Sequence, residues 1–196
     1  MSRRATVRLF AAVDPPPDVA AELSRWARAA ARSAGAGDAP SLRVLDPETL
    51  HLTLLFMGER PGGELDALAA ALSEAARVAR PCELETGAPV WLSPRRPRAL
   101  AIEVHDSEGE LAALQRELAR GLCEVMSPPA PRPPRRFRAH VTVARSRAAP
   151  RGHAALPATP RARFAVAEVV IYRSHLDPEG ARYEAVASAP LGGWAG

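Results

Sequence analysis

The strongest constraint on the fold is a short alternating pattern that occurs twice, as His51-Leu52-Thr53-Leu54 and as His140-Val141-Thr142-Val143. In both copies a residue able to do chemistry alternates with an aliphatic one, and a β-strand turns successive side chains to opposite faces. His51 and Thr53 therefore share one face of a strand, with Leu52, Leu54 and Phe56 on the other. In the second copy His140 and Thr142 look one way, and Val141 and Val143 the other. Such a strand buries its aliphatic face against helices and turns its His/Thr face outward. Two of them predict two similar lobes, each offering one strand to a central cleft, and a single site built from both.

The rest of the chain supplies the scaffold. Thr6 to Asp14 alternates as a first strand, and Pro15-Pro16-Pro17-Asp18 opens a helix whose buried stripe is Val19, Leu23, Trp26 and Ala30. Leu42 to Leu45 is a short strand. A second helix over about 64–80 places Leu65, Leu68, Leu72 and Ala76 on one side. Strands follow at Cys82 to Val90 and Ala99 to Val104, the latter with Leu100, Ile102 and Val104 toward the core. Ser107 and Glu110 form a capping-box pattern for a third helix carrying Leu111, Leu114, Leu118, Leu122 and Val125. Ser127 to Arg136 is proline-rich and extended, and 147–163 is a long polar loop. Phe164 to Tyr172 and Arg182 to Ala189 are the last strands. This order, with short turns and few βαβ crossovers, predicts an α+β fold of mainly antiparallel sheets with helices outside, in a single bilobal domain over 1–196.

Composition narrows the function classes. At 196 residues and 47% hydrophobic the chain can build a real core. No apolar run approaches the roughly 18 residues of a membrane span, and Met1-Ser2-Arg3-Arg4 leads into a strand without a signal-peptide core, so a cytoplasmic protein with no membrane partner is expected. Cys82 and Cys123 lie far apart without metal-type spacing and read as buried thiols. A pI of about 10.0 and a net charge of +4 favour an anionic partner. All 26 basic residues are arginine and asparagine is absent, which points to a coding bias; guanidinium nonetheless binds phosphate as a bidentate fork.

Two histidines facing one cleft can work as general acid and base, since an imidazole of pKa near 6.5 is poised to carry or release a proton at neutral pH. A threonine two residues along each face adds a hydroxyl donor suited to a phosphoryl oxygen. A phosphodiester fits: ring opening of a cyclic phosphate needs a base for water and an acid for the leaving alkoxide, and neither a metal nor a cofactor. One H-x-T in a strand is ordinarily a threonine of good β propensity beside a surface histidine. The repetition, with aliphatic residues at both intervening positions, raises the pair above that reading. His105, His153 and His175 have no comparable setting.

The paired motifs resemble the H-x-T-x signatures of the 2H phosphoesterase superfamily. More closely, Arg8-Leu9-Phe10, the Leu50 to Gly58 block, the Ser93 to Arg98 turn, Phe137 to Arg145 and Tyr172-Arg173-Ser174 resemble the bacterial RNA 2′,3′-cyclic phosphodiesterases, formerly called 2′-5′ RNA ligases. The resemblance implies metal-free hydrolysis of a terminal 2′,3′-cyclic phosphate to a 2′-phosphomonoester, with His51 the proton donor to the departing 3′ oxygen and His140 the base that activates water. It also implies that Thr53, Thr142 and Arg145 bind the substrate. Strict alternation sets Arg145 opposite His140, so its role requires the strand to end or bulge near Ala144; a solvated arginine is the other reading. Phe10 falls on the cleft face, where it stacks on a base or simply packs. Ala139 stands where relatives carry proline and Ala101 where they often carry tryptophan. Arg95, Arg96, Arg98, Arg135, Arg136 and Arg138 either track an RNA backbone or form a solvated face. The expected partners are RNA ends or cyclic nucleotides, met by a monomer. RNA ligation, small cyclic-nucleotide hydrolysis and a non-catalytic nucleotide-binding role are the alternatives.

Overall fold

A computed structural model defines the structure over residues 6–34, 42–92, 97–127, 137–146, 156–177 and 180–192. Along these the chain runs β1 (Thr6–Val13), α1 (Pro17–Ala34), β2 (Leu42–Val44), β3 (Leu52–Pro61), α2 (Leu65–Val78), β4 (Cys82–Leu92), β5 (Ala99–His105), α3 (Glu110–Val125), β6 (His140–Ser146), β7 (Arg163–Val166), β8 (Glu168–Asp177) and β9 (Gly180–Pro190). The strands form two sheets, one in the order β3-β1-β8-β9 and one in the order β2-β6-β5-β4-β7. Every pairing is antiparallel, giving the expected α+β class. Arg95, Arg96, Arg135, Arg136, the proline-rich segment beyond Ser127 and the first part of the 147–163 loop lie outside the described residues.

The two motif strands hold related places. β3 is the edge of the four-stranded sheet beside β1; β6 lies beside β5, with only the three-residue β2 outside it. β3 and β6 also approach one another. Helices cross between the halves: α1 packs on β2 and β6 of the five-stranded sheet, while α2 covers β8 and β9 of the other and packs on α3. The stripes read from helical spacing are the buried ones, with Leu23, Ala30, Leu68, Leu72, Ala76, Leu111, Leu118 and Leu122 all fully covered. Together with both sheets they form one continuous apolar cluster.

Four expectations are corrected. Phe56 does not join Leu52 and Leu54 on the apolar face but is 61% exposed, because the register of β3 against β1 slips at Leu54, between the pairs Ala12–Thr53 and Ala11–Leu55. A bulge inserts one residue and reverses the phase of alternation beyond it. Val125 is exposed and Met126 is buried instead. The capping box does not form: α3 starts after Gly109 (φ 76°), and the Asp106 carboxylate, rather than Ser107, accepts a bond from the Ala112 N–H at 2.9 Å. Phe164 to Tyr172 is not one strand, since the chain changes sheets at Ala167, leaving β7 beside β4 and β8 beside β1. The second part of the 147–163 loop is tied down. Trp26 Nε1 donates to the Pro157 carbonyl at 3.1 Å and the Thr86 hydroxyl to the Pro160 carbonyl at 2.6 Å. No helix among the described residues is long and apolar enough to cross a membrane.

Candidate active site

The two histidines are held in the same way. His51, at the start of β3, donates from Nδ1 to the Thr49 carbonyl at 2.9 Å, and His140, at the start of β6, donates from Nδ1 to the Arg138 carbonyl at 2.7 Å. A carbonyl can only accept, so Nδ1 carries a proton in both rings, and Nε2 is left as the atom that gains or loses one. Both rings are half-buried, as are Thr53 and Thr142 two residues on.

The strands share a second device. β6 slips against β5 at Val143, between the pairs Ala101–Thr142 and Leu100–Ala144, as β3 does at Leu54. Val143 and Ala144 are both buried and Arg145 is exposed, so the bulge returns Arg145 to the outward face of His140 and Thr142. The backbone groups freed by the two bulges are satisfied. Buried Gln115 of α3 donates to the Leu54 carbonyl at 3.4 Å, and the Leu45 N–H donates to the Val143 carbonyl at 2.9 Å. Counting five residues from each histidine, Phe56 and Arg145 occupy equivalent outward positions. Arg43 on β2 pairs in register with Arg145 and adds a second guanidinium on that side, while Ala101 lies beside Thr142 and is fully covered. Among the basic residues of the predicted run, Arg98 is exposed and Arg138 pairs with Glu103 at 2.6 Å.

Around His51 the four-stranded sheet builds an aromatic box. Phe10 of β1 lies 4.8 Å from the imidazole between ring centroids, and Tyr183 of β9 meets it edge-on at 5.0 Å. Tyr172 of β8 stacks on Phe10 at 5.5 Å, and Phe56 lies 6.1 Å from Phe10. Phe10 is 3% exposed and packs against His51 and Tyr172. Tyr172 also donates its hydroxyl to the Asp14 carboxylate. Burial in this box lowers the pKa of His51, opposed by the bond to Thr49 and by Asp14, and reinforced by the charges of Arg145 and His140. The five-stranded sheet's groups thus act electrostatically on the four-stranded sheet's histidine.

Tyr183, Phe56, Asp14 and Arg43 escape a reading of the motifs alone. In the last strand Tyr183 alternates with the exposed Arg182 and Glu184, so period two alone gives no sign that its ring faces His51. Among the described residues, no three His, Cys, Asp or Glu side chains stand together as a metal-binding group. Cys82 is fully buried, its thiol pushed up to about 12 by burial and by nearby Asp106 and Glu110, and neither cysteine is in a disulfide.

Comparison with known proteins bears on this arrangement. The chain is similar to the crystal structure of TT0787 of Thermus thermophilus, with 27% identity and a TM-score of 0.75 over 95% of this chain and 99% of that one. It shares its fold with E. coli LigT complexed with 3′-AMP, with 22% identity and a TM-score of 0.73 over 95% and 99% of the two chains. No curated protein is matched by sequence. The model of the 2′-5′ RNA ligase superfamily matches residues 12–178, a span that takes in both H-x-T-x strands and both bulges. The chain belongs to the 2′-5′ RNA ligase superfamily, the 2H phosphoesterases.

Proposed function

We propose that the protein hydrolyses the 2′,3′-cyclic phosphate at RNA ends to a 2′-phosphomonoester, without a metal, by paired histidine acid and base. The observation that carries this reading is the matched tethering of His51 and His140, which leaves Nε2 of each imidazole as its working atom, on strands that approach one another from two sheets. His140 Nε2 takes a proton from water as the water oxygen bonds to phosphorus. The bond from phosphorus to the 3′ oxygen breaks, and His51 Nε2–H gives that oxygen its proton. The Thr53 and Thr142 hydroxyls donate to the non-bridging oxygens, whose charge grows in the pentacoordinate transition state, and Arg145 holds the phosphate from the His140 side. Superfamily membership supports phosphoester chemistry, and the in-line requirement on a ring phosphate supports two groups on opposite walls.

The chain is proposed to act as a monomer in the cytoplasm, where its two free thiols stay reduced. The test is turnover of a 2′,3′-cyclic RNA end beside a free cyclic nucleotide, with the monophosphates resolved by phosphorus NMR. The 2′-phosphate is the expected product. A 3′-phosphate would overturn the orientation of the ribose, and no hydrolysis of either substrate would overturn the activity. Small cyclic nucleotides are the second reading. It is favoured by a fold relative whose crystal holds 3′-AMP.

A further inference from the structure

His51 faces a conflict that the proposed reaction makes explicit. As the acid it must hold a proton at Nε2, yet it is wrapped by Phe10 and Tyr183, which exclude the water that would solvate an imidazolium. The cationic neighbours make this worse. Arg145 and His140 approach from the five-stranded sheet and both oppose a second positive charge. The substrate supplies one negative charge when bound, but the ring must already be charged when the substrate arrives.

Among the described residues that act on His51, Asp14 carries the opposite charge, and the pairing of Val13 with Leu52 sets it beside the histidine. Asp14 sits at the end of β1, where the chain leaves the sheet for α1, and its carboxylate receives the hydroxyl of Tyr172 from β8. Tyr172 is fixed in turn by stacking on Phe10 at 5.5 Å, and Phe10 packs on the imidazole itself. The groups around the ring are therefore Asp14 from the β1–α1 turn, Tyr172 from β8, Tyr183 from β9, and Arg145 with His140 from β6. We propose that Asp14, tethered by the Tyr172 hydroxyl, is the positioning carboxylate of the acid: its fixed negative charge opposes the loss of the His51 proton that burial favours and so holds up the protonated share of the ring ahead of substrate. Tyr172 suits the tether because burial and Asp14 both raise its pKa, so it remains a donor across the working range. Asp14 is thus assigned a positioning role that acts through His51.

This inference rests on the proposed role of His51, and its primary test does not depend on turnover. The imidazole signals of His51 are followed by NMR against pH in the parent protein, in Asp14→Asn and in Tyr172→Phe, with the other histidines as internal references. Asp14→Asn keeps an acceptor for Tyr172 and removes only the charge, so the His51 midpoint falls; Tyr172→Phe keeps the ring packing and frees the carboxylate, so the midpoint falls as well. Each unit of that fall cuts the protonated fraction on the alkaline side about tenfold, and the alkaline limb of the rate profile moves with it. Asp14→Glu restores the midpoint toward the parent. An unmoved His51 midpoint in either variant, or a loss of turnover equal at every pH, overturns the proposal by showing a structural role only. If the parent shows no hydrolysis, the activity fails while the NMR result still decides the question of Asp14.

Discussion

Each histidine sits on the first residue of its strand's motif, where the chain enters the sheet and the carbonyl two residues upstream turns back to meet Nδ1. This local geometry gives the clearest prediction. His51→Ala and His140→Ala are each expected to lower turnover of a cyclic phosphate by about 10² to 10⁴-fold with the fold intact, the usual range for a positioned acid or base. Thr53→Ala and Thr142→Ala cost less, since each removes one donor among several. Near-normal turnover in His140→Ala would contradict the assignment. His51 also marks stability. Its folded pKa is lowered by burial, so the unfolded chain takes up the proton first as pH falls below about 6.5. Stability is full above that pH and declines as pH falls through the folded value. In His51→Gln this part of the decline disappears, which thermal melts between pH 5 and 7 would show. The residue types of the site were legible in the sequence because alternation in a strand is a two-residue rule. The box around His51 was not, because Phe10, Tyr172 and Tyr183 come from three strands whose neighbours no local pattern specifies.

Elements add what the alternation rule misses. Period two predicted Phe56 inside and Arg145 opposite His140, and the bulges at Leu54 and Val143 reverse both. A bulge is one unpaired residue stabilised by partners far away in sequence, here Gln115 and Leu45, so no signal within the strand announces it. With Arg145 on the outward face, Arg145→Ala is expected to raise KM by roughly 10 to 100-fold, the worth of a lost charge-assisted bond of about 1.5–3 kcal/mol. The melting temperature stays nearly constant, because the side chain is exposed. A fall in melting temperature with unchanged KM would make the residue structural.

At the far end of β3 the situation is reversed. The Arg60 side chain is 3% exposed and pairs with Glu64 at 2.9 Å across the turn into α2. Arg60→Ala is expected to cost about 3 kcal/mol by removing the buried end of the ion pair and leaving the carboxylate with the Ser127 N–H at 3.3 Å in place of a guanidinium, a loss that urea denaturation measures directly. The bond from Arg60 lowers the pKa of Glu64, so the contribution is present above the unfolded carboxylate value and is lost as pH falls through the lowered folded one.

For the whole molecule, the α+β class and the helix stripes followed from periodicity. The order of the strands did not, because the chain changes sheets repeatedly. β1 and β3 belong to the four-stranded sheet, while α1 and β2 between them pack with the five-stranded one, and Ala167 alone separates β7 in one sheet from β8 in the other. A chain threaded this way cannot fold one half and leave the other. Gln115 of α3 reaches β3, Trp26 of α1 holds the segment that leads into β7, and the apolar cluster runs unbroken through both sheets. The expectation is a single cooperative transition despite the two lobes. Urea unfolding followed by Trp26 and Trp91 fluorescence, and by amide signals from β9 in the four-stranded sheet and β4 in the five-stranded one, should give one midpoint and one slope. Two separated midpoints would mean that the sheets are independent folding units. The site would then be assembled only after both had formed, and a mutation that loosened their contact would lower turnover while both halves remained folded. With one midpoint, any substitution that opens the gap between His51 and His140 also lowers the stability of the whole chain.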